Sequence, residues 1–136
     1  MKYLLDTNIC IALINGSSER VRSCVARALQ RDSQLATSSI VLHELWYGVA
    51  KSVQVERNAR ALNAFLSRQV EVLDYTERDA QAAGEIRAGL ERRGERIGEY
   101  DTLIAGQAFC RNLVLVTANT REFARIKRLV VEDWTV

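Results

Sequence analysis

Tyr3-Leu4-Leu5-Asp6-Thr7-Asn8 is the stretch whose reading decides the fold. Leucines beside an aromatic ring, so close to the start of the chain, read as a buried strand. The run then stops abruptly on a carboxylate, a hydroxyl and an amide. Asp6 therefore stands at the carboxyl end of a strand, where open α/β sheets hold their ligand crevices. The same three polar residues also serve as caps for a helix over residues 9–14. Both readings stay open until the rest of the chain is considered.

Moving outward, strand-like and helical patterns alternate. Asn15-Gly16-Ser17-Ser18 ends the first helix, and Ser17 or Ser18 caps a second carrying Val21, Cys24, Val25, Ala28 and Leu29 on one face. Residues 34–38 read as a strand, and Ser38-Ser39 opens a helix to about Lys51. A further helix covers residues 55–67, and a strand covers 70–73. Thr76-Glu77-Arg78-Asp79 has the spacing of a capping box for a long helix ending near Arg93. Arg92-Arg93-Gly94-Glu95-Arg96 reads as a charged loop. A helix over 101–110, a fully apolar strand over 113–116, a short helix over 119–125 and a last strand over 129–131 complete the pattern. Strands separated by helices pair in parallel, so the fold class is α/β: a three-layer α/β/α sandwich around a central parallel sheet. Parallel pairing also gathers every strand end on one edge.

Composition narrows the function classes. The 136 residues suit one domain spanning residues 1–136, and 48% apolar with 26% charged content suits a folded chain. A net charge of +2 does not by itself announce a nucleic-acid partner. Nearly all the positive charge is Arg, whose planar fork matches phosphate. The three cysteines, Cys10, Cys24 and Cys110, lie in apolar helical patterns and read as buried thiols of a reducing, cytoplasmic compartment. No apolar run is long enough to span a membrane, and no signal-peptide pattern is present.

Three carboxylates lie next to apolar sequence, where an ionised group needs a reason to be. Asp6 is the first. Glu44 sits in Ile40-Val41-Leu42-His43-Glu44-Leu45-Trp46-Tyr47-Gly48, at the border of a helix's apolar arc; alternatively it turns to water or pairs with Lys51. Asp101 opens a helix that is apolar nearly all round, with Ala105, Gly106 and Ala108 permitting close approach; as a cap it also complements the helix dipole. Asn119, after the apolar strand 113–116, is a fourth candidate, and Asn119-Thr120-Arg121-Glu122 is equally a capping pattern. Several carboxylates at one sheet edge repel one another, and the usual resolution is a divalent cation. Hard oxygen ligands select Mg²⁺ or Mn²⁺, which implies phosphate-ester hydrolysis. His43 is the only histidine, so histidine-pair ribonuclease chemistry and a His-rich zinc site are excluded; it reads as a partly buried helix residue. There is no Gly-rich phosphate loop, and Asp6-Thr7-Asn8 lacks the second aspartate of a phosphoaspartate-forming phosphatase.

These residues resemble a family. Leu4-Leu5-Asp6-Thr7-Asn8, the helix from Ser39 to Leu45, Ile97-Gly98-Glu99-Tyr100-Asp101-Thr102-Leu103-Ile104-Ala105 and Val116-Thr117-Ala118-Asn119-Thr120-Arg121-Glu122-Phe123 are together similar to PIN-domain ribonucleases, and most of all to the VapC toxins of bacterial toxin–antitoxin pairs. The resemblance runs the whole chain in order. It implies an Mg²⁺-dependent endoribonuclease in which a metal-activated water attacks an RNA phosphodiester. Asp6, Glu44, Asp101 and Asn119 would be the catalytic quartet, with Asp6 and Asp101 holding the metal. Asn119 stands where many relatives have a fourth aspartate, so it suits hydrogen bonding better than ligation. Glu99, near a position often Pro or Ala, is expected to pair with Arg96 or lie exposed. The resemblance further implies a homodimer and a cognate VapB-like antitoxin whose tail occupies the acidic groove. Arg92, Arg93 and Arg96 are candidates for substrate phosphates or a solvated loop, and Trp46 and Tyr47 for base stacking or a dimer contact, with core packing the favoured reading of Trp46. The competing reading is a scaffold of the same shape that binds RNA or a protein without cutting. A basic DNA-binding helix is not supported, because the arginines are scattered.

Overall fold

Apolar runs with no room for a polar face form the strands. Leu4 and Leu5 of β1 (Lys2–Leu5), Leu35 and Ala36 of β2 (Gln34–Ser38) and all of β4 (Val114–Val116) are buried. The computed structural model describes residues 1–136. With β3 (Val70–Leu73) and β5 (Val131–Glu132), these strands form one sheet in the order β3-β2-β1-β4-β5, parallel at every pairing. The chain winds outward from β1 to β3, then crosses to β4 on the other side of β1. The topological switch point therefore lies between β1 and β4. Right-handed crossovers then put helices on both faces of the sheet.

On one face, α1 (Thr7–Asn15) packs against α2 (Glu19–Gln30), α3 (Ser39–Lys51) and α4 (Val55–Leu66). Ser18 caps α2 by accepting from the Val21 N–H, and Gly16 closes α1 in the left-handed region at φ 63°. On the other face α5 (Glu77–Arg92) lies along α6 (Glu99–Cys110), and α7 (Thr120–Phe123) leads into β5. The capping box at the start of α5 is present: Thr76 accepts from the Asp79 N–H, and Asp79 accepts from the Thr76 N–H. The largest departure from the sequence reading is the start of α6. It begins two residues before Asp101, with Gly98 at the cap and no side-chain capping bond. The last strand also lies later than expected, at Val131–Glu132 rather than 129–131.

The helix α6 is as deeply set as its all-apolar sequence requires, with Thr102, Ile104, Ala105, Gly106, Gln107 and Ala108 buried. A Cβ on Gly106 would come within 2.6 Å of the Ala83 backbone nitrogen on α5. Beside this contact lies a polar knot. The Asp79 carboxylate is fully buried and accepts from Arg111 Nε at 3.1 Å, Arg111 Nη2 at 2.8 Å, Gln107 Nε2 at 3.1 Å and Cys110 Sγ at 3.0 Å. These bonds, led by the Arg111 guanidinium, outweigh burial and hold Asp79 below the usual carboxylate range.

Two expectations about burial fail. Cys10 is buried, its thiol pushed up to about 12 chiefly by burial, but Cys24 and Cys110 are only half-buried. Trp46 is 36% exposed and His43 is exposed, with the Tyr100 ring of α6 beside the latter. No helix is long and apolar enough to cross a membrane.

Replacing Gly106 with Ala overpacks the α5–α6 contact and is expected to destabilise the fold by about 1–3 kcal/mol, read by urea unfolding. Asp79→Ala leaves Arg111 facing an emptied, buried site and is expected to cost roughly 3 kcal/mol. Because the folded-state pKa of Asp79 is depressed, its contribution is present above about pH 4 and lost as pH falls further. Unfolding curves between pH 3 and 6 should show that loss in the natural chain and a smaller one in Asp79→Ala.

Candidate metal centre at the switch point

Asp6 ends β1 and caps α1, so the cap and the site are one feature. Its backbone N–H donates to the Val116 carbonyl at 2.9 Å, extending the β1–β4 ladder by one step across the switch point. The side chain is 3% exposed. Its Oδ1 accepts from the Thr7 N–H at 2.8 Å, and its Oδ2 accepts from the Thr117 hydroxyl at 2.7 Å. Thr117 follows β4 and is fully buried; its hydroxyl also accepts from the Asn119 N–H at 3.0 Å. Asn8 Oδ1 accepts from the Ala118 N–H at 3.0 Å. The loops after β1 and β4 are thereby tied together. Burial pushes the Asp6 carboxyl up, and the bonds from Thr117, Thr7 and Asn8 oppose that rise.

Glu44 comes from α3, which follows β2, and reaches the same edge. Its Oε1 accepts from the Thr7 hydroxyl at 2.9 Å, one residue from Asp6. The alternative pairing with Lys51 is absent; the Lys51 ammonium lies 4.8 Å from the centre of the Tyr47 ring. Asp101 lies in the first turn of α6, whose N-terminus meets this edge because α6 runs antiparallel to β4. Asp101 is half-buried, and its carboxyl is pushed up to about 7. Burial is the largest cause, followed by the negative charge of Asp6, then the hydrogen bond and charge of Glu122, then the charge of Glu44. Asp6 and Asp101 therefore share one pocket.

Asn119 enters the pocket as well, but not as a cap. Its side chain makes no capping bond; Nδ2 donates to Asp101 Oδ2 and to Glu122 Oε2, each at 3.2 Å. The amide bridges two carboxylates. Glu122 is the acid that the sequence reading passed over. It lies in α7 three residues after Asn119, a spacing that reads as a capping box yet sets both side chains on one side of the turn. Thr117 was passed over for a similar reason, since a threonine after an apolar strand has no distinctive spacing.

Four carboxylates, from Asp6, Glu44, Asp101 and Glu122, thus gather at the switch point, close enough for the other three to act on Asp101. The raised Asp101 pKa reflects its burial first and then the neighbouring negative charges. An all-oxygen donor set of this kind fits a hard divalent ion. No three of these groups converge as a ready-made cage. Two of the three arginines offered to phosphate are differently employed. Arg93 is bound to Glu95 and to the Arg125 carbonyl, and Arg96 pairs with Glu99 at 3.7 Å, as expected for Glu99.

An acidic pocket over the switch point of a parallel α/β sheet is the architecture of a PIN-type domain. The PIN domain family model matches residues 3–129, and the chain belongs to that family. The tRNA(fMet)-specific endonuclease VapC of Salmonella typhimurium is 46% identical over 134 residues, 98% of each chain. Ribonuclease VapC2 of Rickettsia felis is 43% identical over 134 residues, again 98% of each. Among solved structures, VapBC2 from Rickettsia felis bound to a promoter DNA fragment contains a chain that superposes with a TM-score of 0.91 at 40% identity, covering 98% of this chain and 99% of that one. DNA-bound VapBC from Salmonella typhimurium gives 0.90 at 44% identity, covering 98% of each.

Because the Asp101 pKa is raised on folding, the native state binds more protons than the unfolded chain between about pH 4 and pH 7, and stability falls as pH rises through that window. In chelator-treated protein at pH 8, Asp101→Asn is expected to raise Tm, and added Mg²⁺ should stabilise the natural chain more than the variant. Thermal unfolding with and without Mg²⁺ measures both.

Proposed function

We propose that this chain is an endoribonuclease toxin of a type II toxin–antitoxin system that hydrolyses RNA phosphodiester bonds with the help of Mg²⁺ or Mn²⁺. The observation that carries the reading is the shared, uncompensated acidic pocket, in which Asp101 is pushed up to about 7 by burial and by Asp6, Glu122 and Glu44. The full-length likeness to VapC ribonucleases supports it.

Asp6 and Asp101 are the groups that would hold the ion. When bound, such an ion supplies Lewis acidity toward a phosphoryl oxygen and makes water a stronger acid. The chain's own residues do the rest. Thr117 and the Thr7 N–H fix both oxygens of Asp6, which holds its carboxylate in one orientation. Glu44, held by the Thr7 hydroxyl, is placed to orient a water or accept its proton. Asn119 sets the Asp101 and Glu122 carboxylates at one fixed spacing through its amide. Glu122 supplies the fourth negative charge where Asn119 supplies none.

The partners follow from the same reading: RNA as substrate, a VapB-like antitoxin as the inhibitor, and a second copy of the chain in a homodimer. The relatives solved as VapBC complexes support the antitoxin. The pocket's charge suits an arginine from an antitoxin tail. The three free thiols support a cytoplasmic location, and the core cluster, which runs from Leu4 to Trp134, supports one domain over residues 1–136.

Asp6→Asn and Asp101→Asn are each expected to lower the rate of RNA cleavage by about 100-fold or more while leaving the circular dichroism spectrum unchanged. Glu122→Gln should be impaired as well, with part of its activity recovered at high Mg²⁺. A natural chain that cleaves equally well in excess chelator, or an Asp101→Asn protein with undiminished activity, overturns the assignment.

A further inference from the structure

The pocket itself repels what it is meant to cut. It gathers four carboxylates, and Arg93 and Arg96 beside it are already paired. Affinity for RNA must therefore draw on contacts other than phosphates at this point of the surface. Two exposed rings stand next in sequence to two of the acids. His43 immediately precedes Glu44 on α3, and Tyr100 immediately precedes Asp101 on α6. The two helices pack together here, and the ring centres lie 5.6 Å apart at an interplanar angle of 37°. Tyr100 is 46% exposed, so the pair is not a piece of core that has surfaced at its edge. Along α3, Trp46 and Tyr47 follow His43 at i+3 and i+4 and extend the same aromatic face away from the pocket. The Lys51 ammonium already lies over Tyr47, whereas His43 and Tyr100 pair with each other.

We propose that His43 and Tyr100 form a stacking platform for an unpaired base next to the phosphate that an ion at the carboxylates would hold, which selects RNA loops and single strands over duplexes. The proposal rests on the nuclease reading for the position of that phosphate. Neither residue touches the reacting atoms; both are positioning residues. Bases in an A-form helix are stacked on one another and closed to such a platform, whereas a splayed base in a loop presents its face. Stacking is tolerant of base identity, so the platform sets the strandedness of the substrate rather than its sequence. A second copy of the chain is the competing occupant of this aromatic face. Two rings with polar tips beside four carboxylates suit a nucleotide better than a dry contact between identical acidic surfaces.

The test is steady-state cleavage of a single-stranded oligoribonucleotide in Mg²⁺, with the same sequence in a duplex as the control. Tyr100→Ala and His43→Ala are expected to raise KM by about tenfold each, with kcat moving much less, and Tyr100→Phe to restore the natural KM. Both positions are exposed, so Tm should stay unchanged. In parallel, a 2-aminopurine oligoribonucleotide is added to Asp6→Asn protein; its fluorescence should be quenched on binding, and the quench lost with Tyr100→Ala. Active enzyme with KM unmoved by either substitution overturns the platform alone, as does equal cleavage of strand and duplex. So does sedimentation showing that Tyr100→Ala turns a dimer into monomers, which would make the face a subunit contact. Protein that quenches the probe through Tyr100 but cuts nothing supports the platform and overturns the nuclease reading.

Discussion

The hydrogen bond from the buried Thr117 hydroxyl to Asp6 is the interaction on which the site depends. It joins the ends of two strands that are neighbours in the sheet but more than a hundred residues apart in the chain. Without it the buried Asp6 Oδ2 would keep only the long 3.5 Å bond from the Asn8 amide, a costly arrangement. The same hydroxyl receives the Asn119 N–H and so sets the direction of the chain as it leaves β4. From that turn Asn119 reaches Asp101, and Glu122 follows one helical turn on. A strand-end threonine thus governs where two of the four acids arrive.

The rest of the fold delivers the remaining two. A parallel sheet whose winding reverses between β1 and β4 leaves a crevice at that point, and the helices on either face begin or pass there. The approach of α6 to α5 at Gly106 and Ala83 sets how deeply α6 sits. The Asp79–Arg111 knot fixes its far end. Asp101, in the first turn, is thereby held against the crevice rather than free to turn outward. The strain is electrostatic rather than conformational: burial first, and then the charges of Asp6, Glu122 and Glu44, push the Asp101 carboxyl up to about 7. An ion that binds there recovers free energy already spent in folding, which is the usual relation between stability and function at such sites.

Much of this was legible in the residues. The apolar run ending in Asp6, the alternation of strands and helices, and the all-apolar helix after Asp101 each determine their element with little help from context. The misreadings have physical causes. Asp101 was a plausible cap, but the Gly98 carbonyl already accepts the Thr102 N–H and hydroxyl, so the helix starts earlier and the carboxylate is free for the pocket. Asn119 and Glu122 have capping-box spacing, yet the nearby Asp101 carboxylate draws the amide away from the backbone. Trp46 and His43 lie at the margin of a helical apolar arc, and a helical wheel cannot say where the neighbouring element ends. Charge proximity between residues of distant elements has no trace in local spacing, and so Glu122 emerged only in three dimensions.

The central claim is that these acids form a cation site. Mn²⁺ binding to the chelator-treated protein, followed by water-proton relaxation at pH 7.5, tests it most directly. The account predicts saturable binding in the natural chain that Mg²⁺ competes away and that Asp6→Asn combined with Asp101→Asn abolishes, with no loss of fold. Undiminished Mn²⁺ binding in that double variant would contradict it.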